Sequence, residues 1–182
     1  MLVNVMMSRH KRQKRGDRIF RKWVLPILKK HYPGRWQSTS GTSMDYLYCI
    51  DWLYDSPDGE ALQFASRSWM SKPYQHHSTR YKRSTKPDLK LETEIMIANL
   101  KKNKFFPDKT IEAWIHRGWV YIAISDSREL WTTIKEILEN NEHIKTFSLK
   151  DPVGHTKFLQ IPFTRLPNEP DKIVDRAIGW TD

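Results

Sequence analysis

The chain has 182 residues and a mean hydropathy of −0.70, long enough for one core of ordinary domain size plus a short appendage. Its 22 aromatics exclude a disordered chain, its apolar runs are too short for a membrane span, and its single cysteine, Cys49, excludes a disulfide framework or a cysteine-based zinc site. A reducing, intracellular (cytoplasmic) compartment fits that cysteine usage, and Met1–Met7 is too short for the apolar region of a signal peptide.

Charge is unevenly placed. Residues 1–44 hold eleven Lys and Arg against one acid, Asp17, which leaves 20 basic and 20 acidic residues in 45–182. The whole excess of +10 therefore sits in an N-terminal arm and the first helix. This asymmetry points to a polyanion, nucleic acid before a membrane surface; the bland alternative is a solubilising tail.

In chain order, residues 1–16 read as a solvated basic arm carrying Arg9, Lys11, Arg12, Lys14 and Arg15. From Asp17, the spacing of Ile19, Phe20, Trp23, Val24, Ile27 and Leu28 predicts an amphipathic helix. Asp17 is placed to cap it, Pro26 to bend it and Pro33-Gly34 to end it. Residues 37–43 read as a loop. Tyr46–Tyr54 and Ala61–Trp69 then read as the two strands of a hairpin around the turn Ser56-Pro57-Asp58-Gly59, in which Pro sets φ and Gly takes the positive-φ position.

Ser78–Arg83 reads as a third strand and Lys90–Lys102 as a helix. Lys109–Ser125 reads as a second hairpin around His116-Arg117-Gly118, and Arg128–Asn141 as a helix. Lys157–Leu166 reads as a last strand, put at an edge by Pro162, followed by a weakly ordered tail, 167–182, from which Ile178 and Trp180 are candidates to dock. The expectation is one domain over 17–166 of the α/β (α+β) class, with a mixed central β-sheet flanked by helices.

Nucleophile elbows, phosphate-cradling glycine loops and dinucleotide fingerprints are absent from the sequence. Cys49 reads as a structural thiol in a strand. His76 and His77, adjacent on a strand, would point to opposite faces and suit a shared metal poorly. Asp51 is more informative, because a carboxylate between Ile50, Trp52 and Leu53 is costly unless paired or metal-bound. Two readings stay open for it: a cross-strand ion pair with Arg67, or an oxygen ligand of Mg²⁺ in a phosphodiester-cleaving site.

The run Asp45-Tyr-Leu-Tyr-Cys-Ile-Asp51, the Pro-Asp-Gly turn and Leu62-Gln63-Phe64-Ala65-Ser66-Arg67 together resemble the PD-(D/E)XK, restriction-endonuclease-like nuclease superfamily, most of all its small phage-type members. The resemblance implies a restriction-endonuclease-like core and a Mg²⁺- or Mn²⁺-dependent endonuclease acting on duplex or branched DNA, often as a homodimer, in a bacterial host. It makes Asp51 the metal-binding aspartate, with Asp45 and Gln63 as further ligands. It also puts Ala65 where the superfamily has its catalytic lysine, so that Arg67 or Lys82 would have to supply the cation.

Around that hairpin, Lys72, Arg80, Lys82 and Arg83 alternate with Trp69, Tyr74, His76, His77 and Tyr81, a mixture of phosphate-seeking cations and stackable rings. Three functions follow: a metal-dependent DNA endonuclease, a catalytically inactive nuclease-fold DNA-binding protein, or a protein-interaction adaptor or inhibitor.

Overall fold

The computed structural model describes residues 16–83, 92–102, 105–151 and 154–181. The predicted first helix is present as α1, π-helical over Phe20–Val24 and α-helical over Leu25–His31, with Phe20, Val24, Ile27 and Leu28 buried. A proline ring clashes with the carbonyl four residues before it in a regular helix. Here Leu25 N–H reaches back five residues to Phe20 O, and this wider turn opens the ladder just ahead of Pro26. Asp17 does not cap the helix. It lies inside the first described turn and accepts a hydrogen bond from Arg21 Nε at 3.0 Å, one turn on.

The α1 stripe packs on one face of a six-stranded sheet. Its strands are β1 (Arg35–Ser38), β2 (Trp52–Asp55), β3 (Ala61–Trp69), β5 (Lys109–His116), β6 (Trp119–Asp126) and β9 (Asp171–Arg176), in that spatial order. All neighbours are antiparallel except β3 and β5, which run parallel, so the sheet is mixed. Alternation sends Trp52, Tyr54, Phe64, Ile111, Ile115, Val120 and Ile122 towards α1. Phe20 stacks on Trp52 at 4.9 Å, and Trp36 of β1 lies 5.0 Å from Phe64.

Gly34 joins α1 to this sheet. A Cβ at that position would sit 2.7 Å from the Tyr54 ring and closer still to the Asp55 carbonyl oxygen. Gly34→Ala is therefore expected to destabilise the fold by about 1–3 kcal/mol through overpacking, read as a lower urea midpoint at unchanged m-value.

The sheet's other face carries a second core. Trp114 and Ala123 meet Leu130, Trp131, Ile134 and Ile137 of α4 (Ser127–Glu139) and Met96 of α3 (Glu92–Lys101). A three-stranded antiparallel sheet closes it, with β8 (Gly154–Pro162) between β4 (His76–Arg83) and β7 (Thr146–Asp151) and with Leu159 and Ile161 buried. Asp126 caps α4, accepting from Glu129 N–H at 3.1 Å. The chain is thus a mixed α/β fold with two sheets, and no described helix is long and apolar enough to cross a membrane.

Several expectations are corrected. The strand expected over Tyr46–Tyr54 is a short helix, α2 (Ser43–Tyr48), then a break at Cys49 in the left-handed region (φ 54°), then β2 of only four residues. Its aromatic content suggested a strand, yet its apolar residues run without the alternation a half-buried strand needs. The expected loop at 37–43 contains the end of β1, whose Gln37 and Ser38 pair with Leu53 and Trp52. The third strand, β4, joins β8 rather than the hairpin. Pro162 does not mark an edge: it ends the middle strand of the small sheet, opposite His76. The tail is not loose: it supplies β9, paired with β6 over Asp171–Arg176, while Trp180 docks as expected, 5.2 Å from Trp23 of α1.

Candidate functional site

The Asp51 hairpin folds as the sequence led one to expect at its turn. Gly59 has φ 88°, its N–H bonds Ser56 O, and Ser56 N–H bonds Glu60 O at 2.7 Å. At the open end, β2 begins at Trp52 opposite Phe64, and Asp51 N–H donates to Phe64 O at 2.8 Å. Two residues further along β3, the Ser66 N–H has no β2 residue facing it. The half-buried Asp51 carboxylate takes that place: Oδ2 accepts from Ser66 N–H at 2.6 Å and from Ser66 Oγ at 3.2 Å. Thr39 holds the same segment from the other side, through its N–H to Asp51 O and its hydroxyl to Ile50 O. Asp51 is thus a side-chain cap on a strand ladder, and a charge-assisted one.

A second carboxylate does the same on the opposite side of β3. Asp108 Oδ2 accepts from Gln63 N–H at 2.7 Å, and Asp108 N–H returns a bond to Gln63 O at 2.7 Å. Gln63, Ala65 and Arg67 share the sheet face that looks away from α1, as strand alternation requires. Ala65 is buried. The Arg67 guanidinium lies 5.5 Å over the Phe158 ring and 6.0 Å over Trp69.

The strand-capping role predicts a difference between two substitutions. Asp51→Ala strips Ser66 N–H of its acceptor and is expected to cost about 1–2 kcal/mol. Asp51→Asn retains a carbonyl oxygen there and is expected to cost about half as much. Chemical denaturation of both variants checks the order; equal losses would mean the hydrogen bond contributes nothing specific.

Of the other expected ligands, Asp45 lies on α2 and its Oδ2 accepts from Gly41 N–H at 3.0 Å, bracing the loop that leads into that helix. The backbone of Lys82 and Arg83 is in β4, opposite Lys157 and Thr156 of β8; their side chains lie outside the described residues. Arg9, Lys11, Arg12, Lys14 and Arg15 lie outside them altogether. Lys72 and Arg80 are exposed.

Among the described residues, no group of three or more His, Cys, Asp and Glu is gathered as metal ligands. Asp51 offers a carboxylate already engaged by Ser66, beside neutral Gln63 and Ala65. One engaged carboxylate and one carboxamide do not fit a hard divalent cation.

A buried polar cluster escaped the sequence reading. Glu112, in the middle of β5, is 1% exposed; its Oε1 accepts from Trp69 Nε1–H, and its Oε2 lies 3.0 Å from His77 Nδ1. His77 is itself buried in β4, so this cluster links the two sheets. The signal was available, since an acid inside the apolar run TIEAWI carries the same desolvation cost as Asp51. Next door, burial holds the His76 imidazole below its ordinary pKa, against an opposing pull from Glu112.

The outer side of α1 is basic. Arg18, Arg21, Lys22, Lys29 and Lys30 are exposed, with Arg21 5.0 Å over Trp52, Lys22 4.3 Å over Trp23 and Lys30 Nζ 2.6 Å from Asp175. Lys30 holds the Asp175 carboxyl below the usual carboxylate range. The charge-dense sequence of the arm therefore runs straight into a folded helix that presents further cations to solvent. Compared with known proteins, the chain matches no protein-family model, no curated protein and no solved structure.

Proposed function

We propose that this chain is a DNA-binding protein, its affinity supplied by the N-terminal arm and the basic side of α1. The observation that carries this reading is the placement of charge: eleven cations against one acid in residues 1–44, with the remainder of the chain neutral. A neutral body with a cationic end binds a polyanion through that end, because each phosphate it neutralises releases condensed counterions. The cations exposed along α1 support it, since they extend the same charge onto a rigid element.

A second reading is a Mg²⁺- or Mn²⁺-dependent endonuclease of the restriction-endonuclease-like class. One observation favours it: a half-buried carboxylate, Asp51, stands at the open end of a hairpin within a mixed sheet, next to Gln63 and Arg67 on the partner strand. Against it stand Ala65, which brings no amine, and a donor set that does not suit the metal.

Two measurements on the full chain separate these readings. Fluorescence anisotropy with labelled duplex DNA is expected to show binding at low salt that weakens steeply as salt rises and needs no metal; no shift with duplex, branched or single-stranded DNA would overturn the proposal. Plasmid relaxation with Mg²⁺ or Mn²⁺ is expected to give the same background for the wild type and Asp51→Ala. Nicking by the wild type that Asp51→Ala abolishes would establish the endonuclease instead.

A further inference from the structure

Away from the Asp51 hairpin, a cleft of about 260 Å³ opens between the β6–β9 edge of the large sheet and the loop ahead of β4. Its walls include Tyr74, Trp114, Tyr121 and Phe163, with Gln75 and Lys172 among its polar residues. Pockets for drug-sized ligands usually span about 300–1,000 Å³, so this one suits a single small planar ring system. Trp114 and Phe163 meet edge to face, 6.2 Å apart, and Trp114 is buried, so that side of the cleft is preformed. Tyr74 is 48% exposed and stacks on His76 at 5.1 Å and 28°.

We propose that this cleft receives one unpaired nucleobase of bound DNA, stacked on Tyr74, with a flanking phosphate on Lys172. The inference rests on the DNA-binding reading and adds to it a site and a preferred substrate structure.

Several observations converge on that occupant. Every nucleobase has a π-face, and aromatic walls bind it without regard to sequence. An extruded base needs a pocket the size of one base, not a groove. Tyr74 is held in place by its contact with His76, so little side-chain freedom is lost when a base stacks on it. His76, its pKa lowered by burial, packs as a flat ring, with Nε2 2.9 Å from Gln160 Nε2. Lys172 pairs at the surface with an exposed Glu169 at 3.5 Å, and such a pair is weak enough for a phosphate to displace. Lys72, exposed and just before Pro73, adds a second cation at the same loop.

The test uses two labelled duplexes that differ in one position, a fully paired one and one with a single unpaired 2-aminopurine. The wild type is expected to bind the unpaired duplex about tenfold more tightly, since stacking one base on an aromatic side chain contributes about 1–3 kcal/mol. The 2-aminopurine fluorescence is expected to fall on binding. Tyr74→Ala is expected to remove both effects and leave the affinity for the paired duplex unchanged. Val174→Trp, at an exposed rim position of the cleft, is expected to do the same by filling it, which covers the case of a Tyr74 variant that folds poorly.

Equal affinity for the two duplexes, or a preference that survives both substitutions, overturns the assignment of the cleft while leaving DNA binding intact. Absence of binding to either duplex at low salt overturns the DNA-binding reading and the cleft with it.

Discussion

Deleting residues 1–15 is expected to weaken binding to a DNA duplex by two orders of magnitude or more near physiological salt, and to flatten its salt dependence. The segment contains five cations, Arg9, Lys11, Arg12, Lys14 and Arg15, and no acid. If each lies on a phosphate, the slope of log K against log salt becomes shallower by about 4.5, because each neutralised phosphate contributes about 0.9 to it. The cations of α1 remain in the truncated chain, so residual binding at low salt is part of the expectation. Anisotropy titrations at three or four salt concentrations measure both quantities. An unchanged affinity and slope would move the function to the folded body, as an adaptor acting on another protein requires. Replacing the five cations by Gln in the full-length chain separates charge from length and is expected to reproduce the deletion.

The largest effect on stability is expected at Glu112. Its carboxylate is buried between the sheets, where Oε1 accepts from Trp69 Nε1–H of β3 and Oε2 lies 3.0 Å from His77 Nδ1 of β4 without a hydrogen bond. Glu112→Ala leaves Trp69 Nε1–H buried without its acceptor and opens a cavity as well. Losing a buried hydrogen bond and opening a cavity in its place is expected to cost about 2–5 kcal/mol, a large part of the total stability of an ordinary domain. Glu112→Gln keeps an oxygen for Trp69 and is expected to cost about 1–3 kcal/mol. Urea unfolding followed by tryptophan fluorescence reads both. A loss below about 1 kcal/mol for Glu112→Ala would show that water or a shift of the small sheet satisfies the cluster. Because His77 pairs with Ile161 across the small sheet, amide exchange in β4 and β8 is expected to rise before exchange in β5 and β6.

Asp51 and Glu112 together show how far residue chemistry could be read. An acid inside an apolar run signals a carboxylate that needs partners; Asp51 was read that way and Glu112 was not, and each accepts a hydrogen bond, Asp51 from Ser66 and Glu112 from Trp69. The identity of the partners was beyond the sequence. Asp51 meets Ser66 N–H because β2 starts two residues too late to cover that amide. Glu112 meets His77 because the small sheet folds over β5, a contact between residues 35 positions apart in the chain.

Local pattern carried α1, α3 and α4, the Pro-Asp-Gly turn, the β5–β6 hairpin and the mixed α/β class, since helix stripes, turn residues and strand runs depend on neighbours a few positions away. It also carried the asymmetry of charge, which needs only counting. Only the tertiary structure decided which strands pair. It sent β4 to β8 instead of β3, made the apparently loose tail the last strand of the large sheet, and turned 43–48 into a helix despite its aromatic content. Strand pairing and the shape of the Tyr74 cleft come from surfaces that meet across the whole chain, and the free energy of those contacts overrides local propensity.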